Sequence, residues 1–278
     1  MNSPTLWRLV RTAPARGAWN MAVDEAILEH IHRGQSLPTL RLYAWDPPCL
    51  SLGRGQPFSD VDLDRLEARG WDVVRRPTGG RAILHTDELT YSVTAPADEP
   101  RVAGSVLESY NRLSRALSCA LQSLGLPVEI EKHAPGAGAS TNPVCFEVPS
   151  SYEITVGGKK LIGSAQARKK EGVLQHGSLP LTGDLGRITQ ALVFADDAER
   201  TAAAQRLLAR ATTVETVLGH VITWEAAADA FARAFESELG LELEGGGLTP
   251  SELARAEELV QEKFAHPSWT ERTAIEHG

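Results

Sequence analysis

Short strand-like runs are interleaved with only a few long helices in this sequence, and this pattern limits the fold more than any other feature. The runs are rich in β-branched, aromatic or alternating apolar residues and are bounded by turn-forming residues. They read TLRLYAW, CLSLG, WDVVRR, RAILH, LTYSVT, PVEIEK, SYEITVGGKKLIG and GVLQHGSLPL. Because helices do not alternate regularly with these runs, we predict an α+β fold with a mixed, largely antiparallel sheet and flanking helices.

The helices are indicated by their end signals. The segment WNMAVDEAILEHIHRG predicts a helix that Asn20 caps and Gly34 ends. A second helix is predicted from Asp60 to near Gly70. The long segment SVLESYNRLSRALSCALQSLG has apolar residues at helical spacing and contains Cys119, which we interpret as structural.

The C-terminal part is predicted to be mostly helical. An alanine-rich stretch begins near residue 197, and a further helix begins at Thr223. For the last helix, Thr249 is expected as N-cap, Pro250 at the first position and Glu252 at the third. We therefore divide the chain into a main domain, residues 1–220, and a helical C-terminal segment, residues 221–278.

Charge and cysteine content exclude several classes of protein. The formal net charge is −8, which argues against a general nucleic-acid binder. Three cysteines without CxxC spacing indicate neither a disulfide framework nor a zinc site. No apolar run approaches ~18 residues, so no membrane span is predicted. These features predict a soluble cytoplasmic protein that requires no metal.

The turn RRPTGGRA places arginines around two adjacent glycines, between two predicted strands. Arginines are suited to anionic groups, and paired glycines let a ligand approach the backbone. Arg75, Arg76 and Arg81 therefore suggest a ligand contact, although a solvated turn with charged flanks is the alternative. His85 follows as a wall of the same pocket or as a structural residue.

Cys145 is the best nucleophile candidate, because STNPVCFEVPSSY lies between a small-residue loop and a strand. A thiol needs a nearby cation to become a thiolate at neutral pH. A predicted hairpin with a Gly157-Gly158 loop follows, and its pairing places Lys160 opposite Thr155. His133 and His176 could also approach the thiol, whereas a buried, incidental cysteine is the alternative. The later segment GSAQARKK is interpreted as a solvated loop or as a docking site for an acidic partner.

Familiar catalytic signatures are missing from the sequence. It contains no GxxxxGK[ST], HExxH or GxSxG motif, and GGRAILH does not match GxGxxG.

Four segments together resemble the lipoate–protein ligase and octanoyltransferase family, which shares its fold with biotin–protein ligases. They are NMAVDEAIL (20–28), RRPTGGRAILHTDELTYSV (75–93), PVCFEVPSSYEI (143–154) and GKKLIGSAQARKKEGVLQHGSL (158–179). The C-terminal WTERT resembles one branch of the family. The resemblance implies that residues 1–220 form a biotin/lipoate–protein ligase-like catalytic domain.

The resemblance also implies roles for single residues. The CFE-P-S pattern is similar to that of the cysteine-dependent octanoyltransferases, which makes Cys145 the nucleophile that carries the acyl thioester. Lys160 matches the family's functional lysine and would lower the pKa of the cysteine and orient the thioester carbonyl. Ligases of the family typically have an Asn-Asp pair where this chain has Tyr152-Glu153. The residues implied to bind substrate are Arg76, Gly79, Gly80, Arg81, His85, Gly163, Ser164, Ala165 and His176.

The implied reaction is the first step of endogenous lipoate synthesis. Octanoyl would pass from octanoyl-acyl carrier protein to a lysine of the apo H protein of the glycine cleavage system, or of another lipoyl domain, without ATP or other cofactor. The alternatives are an ATP-dependent lipoate–protein ligase, an amidotransferase that takes octanoyl from H protein, and a non-enzymatic scaffold that binds carrier protein. No nucleic acid or membrane partner is implied.

Overall fold

The computed structural model describes residues 4–132 and 152–272, and most of its strands belong to one large sheet. That sheet has eight strands in the order β11-β1-β2-β6-β10-β9-β8-β7. β1 pairs in parallel with β2 and β11, and the other neighbours are antiparallel. Its strands are β1 (Thr5–Arg11), β2 (Thr39–Tyr43), β6 (Glu88–Ala95), β7 (Glu129–Lys132), β8 (Tyr152–Val156), β9 (Lys159–Lys169), β10 (Gly172–Pro180) and β11 (Leu241–Gly246). The predicted mixed, largely antiparallel sheet is confirmed.

A second sheet of three strands has the order β4-β3-β5. Its strands are β3 (Cys49–Leu52), β4 (Asp72–Arg75) and β5 (Ile83–His85). β3 is parallel to β4 and antiparallel to β5, so the RPTGG turn connects the two outer strands.

Eight α-helices flank the sheets in the described part of the chain. They are α1 (Gly17–His32), α2 (Leu63–Ala68), α3 (Val106–Ser123), α4 (Asp197–Arg210), α5 (Val214–Leu218), α6 (Trp224–Leu239), α7 (Pro250–Leu259) and α8 (Pro267–Thr270). Helices α3 and α6 pack together over one face of the large sheet, where Tyr91 meets Phe231 and Phe235. Helix α1 packs against β6 and β10, with α7 beside it. Among these residues no helix has the length and apolar character needed to cross a membrane.

Two predicted helix starts are wrong, and both errors have a physical cause. Helix α1 begins at Gly17, and its N-cap Arg16 makes no side-chain cap bond. Asn20 instead lies inside the helix, and its amide donates to the carbonyls of Ala15 and Ala44. Helix α2 is capped by Asp62, since Asp60 belongs to a short 3-10 turn.

The last helix confirms its predicted cap. The Thr249 hydroxyl accepts from the backbone N–H of Glu252, and the Glu252 carboxylate accepts from the backbone N–H of Thr249. The C-terminal segment also contains β11, which the sequence analysis did not predict and which extends the large sheet beside β1. The division at residue 220 stays a prediction.

The predicted hairpin is confirmed at Gly157 and Gly158, and Lys160 pairs with Thr155 across it. The interpretation of GSAQARKK as a solvated loop is wrong. Residues 163–169 of this segment continue β9 and pair with β10, which satisfies their backbone groups within the sheet. β9 is therefore long enough to line a site and to reach α1.

Candidate active site

A pocket of about 420 Å³, its open mouth included, lies between the large sheet, the small sheet and α1. The large sheet contributes four adjacent strands, β2, β6, β10 and β9. The lining residues are Met21, Tyr43, Trp45, Ser51, Arg76, Gly80, Ile83, His85, Thr90, Gly163, Ser164, Ala165, His176, Gly177 and Ser178. At ~4.8 Å between neighbouring strands, the axes of these four strands span roughly 14 Å across the sheet.

The structure brings most of the predicted substrate-binding residues to this pocket. Seven line it: Arg76, Gly80, His85, Gly163, Ser164, Ala165 and His176. Gly79 and Arg81 belong to the same turn but are not among the lining residues. The roles of all nine in binding stay predictions.

Backbone contact holds the RPTGG turn against the loop that follows β3. A Cβ at Gly53 would overlap the carbonyl oxygen of Gly80, so only glycine allows this approach. Arg54 N–H also donates to the carbonyl of Thr78 at 2.8 Å. The turn is thereby fixed where Gly80 faces the pocket.

The arginines at the start of the turn are held inside the protein, so the solvated-turn alternative is wrong for them. Both Arg75 and Arg76 are buried. The Arg76 guanidinium donates to the carbonyls of Ser51, Gly79 and Arg81. These bonds tie β3 to the turn, and the ligand contact expected of Arg75 and Arg76 stays a prediction.

Arg75 connects the turn region to the end of the chain. Its guanidinium donates to the carbonyls of Gly53 and Thr270, both at 2.9 Å, and burial lowers its pKa to about 10. In return, the Trp269 indole N–H donates to the carbonyl of Arg75 at 2.9 Å. Trp269 and Thr270 are therefore linked through Arg75 to the loop at Gly53, against which the RPTGG turn packs.

His85 forms part of a buried polar chain at one wall of the pocket. Its Nδ1 lies 2.6 Å from Glu88 Oε1, and its Nε2 lies 2.8 Å from Ser51 Oγ. The Trp45 ring stacks on the imidazole with centroids 3.9 Å apart. Both nitrogens of His85 are thus engaged by the protein.

His176 joins a second network beneath the pocket. Its Nε2 lies 2.6 Å from Thr78 Oγ1, and its Nδ1 lies 3.9 Å from Asp24 Oδ2. Asp24 accepts from the Arg41 guanidinium at 2.8 Å and from the Ser92 hydroxyl at 2.8 Å. Burial alone would raise the pKa of Asp24, but the charge and hydrogen bond of Arg41, together with the nearby His176 ring, lower it below its ordinary value.

We expect stability to fall in acid partly through His176. Burial lowers the pKa of its imidazole below 6.5, although Asp24 opposes the shift. The unfolded chain then binds more protons than the folded chain between the two pKa values, so the contribution is complete above pH 6.5 and is lost as pH falls through the folded pKa. Urea unfolding of wild type and His176→Gln at several pH values measures it. If the free energy of unfolding changes with pH identically in the two proteins below pH 6.5, this role of His176 is contradicted.

Gly177 has no room for a side chain. An added Cβ would lie 2.6 Å from Ser164 Oγ and 2.7 Å from both the Gly163 carbonyl oxygen and Tyr91 Cε1. Gly177→Ala is therefore expected to lower the free energy of unfolding by about 1–3 kcal/mol, because β9 and β10 must separate locally. Chemical denaturation measures the change. Gly55→Ala is the matched control, since a Cβ there meets open space, and an equal loss in both variants would contradict the steric explanation.

Of the two predicted catalytic residues, Lys160 lies in the described part of the chain. Lys160 is buried at the start of β9, and its carbonyl accepts from the Thr212 N–H at 3.1 Å. This strand continues into Gly163, which lines the pocket. Cys145 and His133 lie outside the described residues.

The basic run after Ala167 is largely engaged within the protein. Arg168 donates to the carbonyl of Val102 at 2.7 Å and to Ser109 Oγ at 3.0 Å, which fastens β9 to the start of α3. Lys169 forms an ion pair of 2.8 Å with Glu25 on α1. Lys263 contacts the same carboxylate at 2.6 Å. Arg168 and Lys169 therefore have structural partners, and the docking role of the run stays a prediction.

Sequence reasoning did not single out several lining residues. They are Met21, Tyr43, Trp45, Ser51, Ile83, Thr90, Gly177 and Ser178. A usable signal exists for Ser178, which lies two positions after His176 and thus on the same face of β10. Tyr43, Trp45 and Ser51 carry no such signal, because they reach the pocket from segments that only the tertiary fold brings together.

The α+β fold is that of lipoate–protein ligases. One similar structure comes from a structural analysis of a bi-partite lipoate protein ligase and its E2 lipoyl domain from Thermoplasma acidophilum. It is 25% identical to this chain, with a TM-score of 0.77 and 99% of each chain covered. Lipoate-protein ligase A bound with ATP shares the fold at 24% identity, with a TM-score of 0.78 over 96% of this chain and 99% of that one.

The chain belongs to the lipoyl protein ligase A/B catalytic domain family, which matches residues 16–236. Octanoyltransferase LipM of Moorella thermoacetica is 44% identical over 96% of this chain and 98% of its own length. Octanoyltransferase LipM of Symbiobacterium thermophilum is 40% identical over 96% and 99%. Within residues 4–132 and 152–272, no three His, Cys, Asp or Glu side chains cluster in a way that could hold a metal ion.

Proposed function

We propose that this protein is an octanoyltransferase that moves octanoyl from octanoyl-acyl carrier protein to a lysine of the apo H protein, or of another lipoyl domain. Its relatives of similar length in Moorella and Symbiobacterium are octanoyltransferases. The product would be the octanoyl amide from which lipoate is made. A cytoplasmic location, where both protein partners would be available, is part of the same proposal.

The pocket is the observation that carries this proposal. Met21, Tyr43, Trp45 and Ile83 give it apolar walls. Its basic side chains, Arg76, His85 and His176, already bond to protein groups. An uncharged acyl chain suits such a surface better than an anionic ligand, because it makes no demand on groups that are already paired.

The direction of the acyl chain follows from the order of the strands. Lys160 lies on β9, whereas Tyr43 and Trp45 lie on and just after β2, at the opposite side of the pocket. An acyl group whose carbonyl is near Lys160 would therefore cross β10 and β6 and end near Trp45. The acyl chain would thus lie across the four strands, whose axes span roughly 14 Å.

Cys145 is the proposed nucleophile of a two-step transfer. Its thiolate attacks the thioester carbonyl, the bond from that carbon to the carrier sulfur breaks, and the carrier leaves as a thiolate that takes up a proton from water. The acceptor lysine amine then attacks the new thioester, a C–N bond forms, the bond to the Cys145 sulfur breaks, and the amine proton is released. Both steps use the energy of the original thioester, and two successive steps allow the two protein partners to bind in turn.

Lys160 is proposed to support the thiolate and the carbonyl. As an ammonium it favours the thiolate of a nearby cysteine and stabilises the negative charge that develops on the carbonyl oxygen. As a neutral amine it could instead accept the proton of the attacking lysine. Its burial at the start of β9 favours a fixed position for either role.

Acyl carrier protein and H protein are expected to be acidic, and the formal charge of −8 opposes their approach. Local basic groups must therefore provide the docking surface. Since Arg168 and Lys169 are engaged internally, Lys170 at the exposed end of the run keeps the predicted docking role.

The test is intact-protein mass spectrometry after mixing the protein with octanoyl-acyl carrier protein in the absence of ATP. We expect one octanoyl group to be added, to be removed by hydroxylamine, and to pass to apo H protein. No adduct, together with lipoyl transfer that requires lipoate and ATP, would show a ligase. An adduct from octanoyl-H protein but not from the carrier would show an amidotransferase, and binding without transfer would show a scaffold.

A further inference from the structure

Glu88 is a buried carboxylate that the proposed reaction does not use. It begins β6, only 6% of it is exposed, and it is not among the residues that line the pocket. A carboxylate in such a position is stable only when several donors satisfy it. Its partners show what the group does.

Three side chains converge on one oxygen of Glu88. Oε1 accepts from Thr90 Oγ1 at 2.5 Å and from Ser178 Oγ at 2.9 Å, and it lies 2.6 Å from His85 Nδ1. Because a carboxylate can only accept, the proton of that last bond is on Nδ1 of His85. All three partners line the pocket.

Trp45 is held by the same carboxylate through two routes. Its indole N–H donates to Thr90 Oγ1 at 2.8 Å, and Thr90 in turn donates to Glu88. Its ring also stacks on His85, with centroids 3.9 Å apart and an interplanar angle of 6°. We call Trp45 and His85 the ring pair.

Trp45 lies at the side of the pocket away from β9, and His85 stacks on it next to Ser178 of β10. Thr90 pairs with Tyr43 of β2 on one side and with Ser178 of β10 on the other. If the acyl carbonyl lies near Lys160, the far end of the chain meets the ring pair. The orientation of these two rings then determines how much chain the pocket accepts.

We propose that Glu88 is the positioning residue of this wall and that it sets acyl chain-length discrimination by fixing the ring pair. This inference rests on the proposed octanoyl transfer for the orientation of the acyl chain. Glu88 contacts no substrate. It acts through His85 and through Thr90.

The first variant is Glu88→Gln, which keeps the shape and removes the charge. Charge-assisted bonds to Oε1 become neutral ones, so the ring pair loses part of its support. We expect the Kd of the amide analogue of octanoyl-pantetheine, which cannot transfer its acyl group, to rise about tenfold. The butanoyl analogue should change little, because its shorter chain does not reach the ring pair. Calorimetry with the full chain measures both.

A matched pair at Thr90 tests the route to Trp45. Thr90→Val keeps the side-chain shape but can neither donate to Glu88 nor accept from Trp45, whereas Thr90→Ser keeps the hydroxyl. We expect Thr90→Val to lower the octanoyl-to-butanoyl preference and Thr90→Ser to retain it. The Glu88→Gln/Thr90→Val double variant should lose less of the octanoyl-to-butanoyl preference than the two single variants lose together, since both residues act through one network.

Glu99→Gln is the control for removing a buried carboxylate elsewhere. Glu99 is 8% exposed and pairs with Arg101 at 3.1 Å, and its variant should keep the wild-type preference. Equal weakening of both analogues in Glu88→Gln and Thr90→Val, or no change in either variant, would overturn the proposal. If Glu88→Gln does not fold, the Thr90→Val and Thr90→Ser variants by themselves test the proposal.

The analogue experiment also separates this inference from the proposed function. A wild type that prefers the octanoyl analogue but never becomes acylated would contradict octanoyl transfer, while the variants would still test Glu88. A wild type that acquires octanoate, with variants that keep its chain-length preference, would contradict only the role of Glu88.

Discussion

Cys145→Ala is expected to abolish the octanoyl adduct and the transfer to H protein, the largest loss of activity that we predict. Without a thiol no acyl-enzyme can form, and direct transfer between two protein substrates would have to replace a two-step route. Intact-mass measurement after mixing with octanoyl-acyl carrier protein detects the adduct. Turnover equal to wild type in this variant would remove the cysteine from the mechanism.

The other two cysteines provide controls, and their surroundings explain why neither should replace Cys145. Burial raises the pKa of the Cys49 thiol well above its ordinary value, and Asp72 and Glu88 add to the shift. Burial and Glu238 likewise raise the pKa of Cys119. Both thiols are therefore held in the unreactive, protonated form. Cys119→Ser should keep the full adduct, and an adduct lost in Cys119→Ser but kept in Cys145→Ala would reverse the assignment.

Asp24→Ala is expected to give the largest loss of stability, about 3–5 kcal/mol in the free energy of unfolding. The side chains of Asp24 and Arg41 are both 0% exposed, and they form an ion pair of 2.8 Å. Removing the carboxylate leaves the Arg41 charge buried without its counter-ion and also removes the acceptor of the Tyr43 and Ser92 hydroxyls. Denaturant unfolding at neutral pH measures the loss.

A surface ion pair is the control for the same substitution. Asp229 pairs with Arg11 at 2.7 Å, but these side chains are 48% and 38% exposed. Asp229→Ala should cost only about 0–1 kcal/mol, because water replaces the lost partner. Similar losses in the two variants would show that burial is not what makes Asp24 important.

Features that depend on neighbouring residues were predictable from the sequence. The Gly157-Gly158 hairpin and the Thr249 cap involve groups only a few residues apart, so local chemistry determines them. The wrong cap at Asn20 shows the limit of this reasoning. Its side-chain oxygen accepts from Arg41 and its amide donates to Ala44, two partners more than twenty positions away.

The segment GSAQARKK shows the same limit for a strand. Its composition favours a loop, but pairing with β10 satisfies its backbone and draws it into β9. Local propensity is weak compared with a complete set of ladder hydrogen bonds. The charges of Arg168 and Lys169 then find partners on α3 and α1 that no local pattern indicates.

The sequence by itself determined the α+β class, the largely antiparallel sheet and the turn that faces the pocket, because periodicity, caps and glycine turns act over short distances. Only the tertiary structure decided that Arg75 and Arg76 bond to backbone carbonyls, and that Trp45 and His85 share one carboxylate at Glu88. These groups meet because four sheet strands, a second sheet and α1 converge on one pocket. Which donor finds which acceptor there depends on distances across the fold, and those distances are set when the whole chain packs.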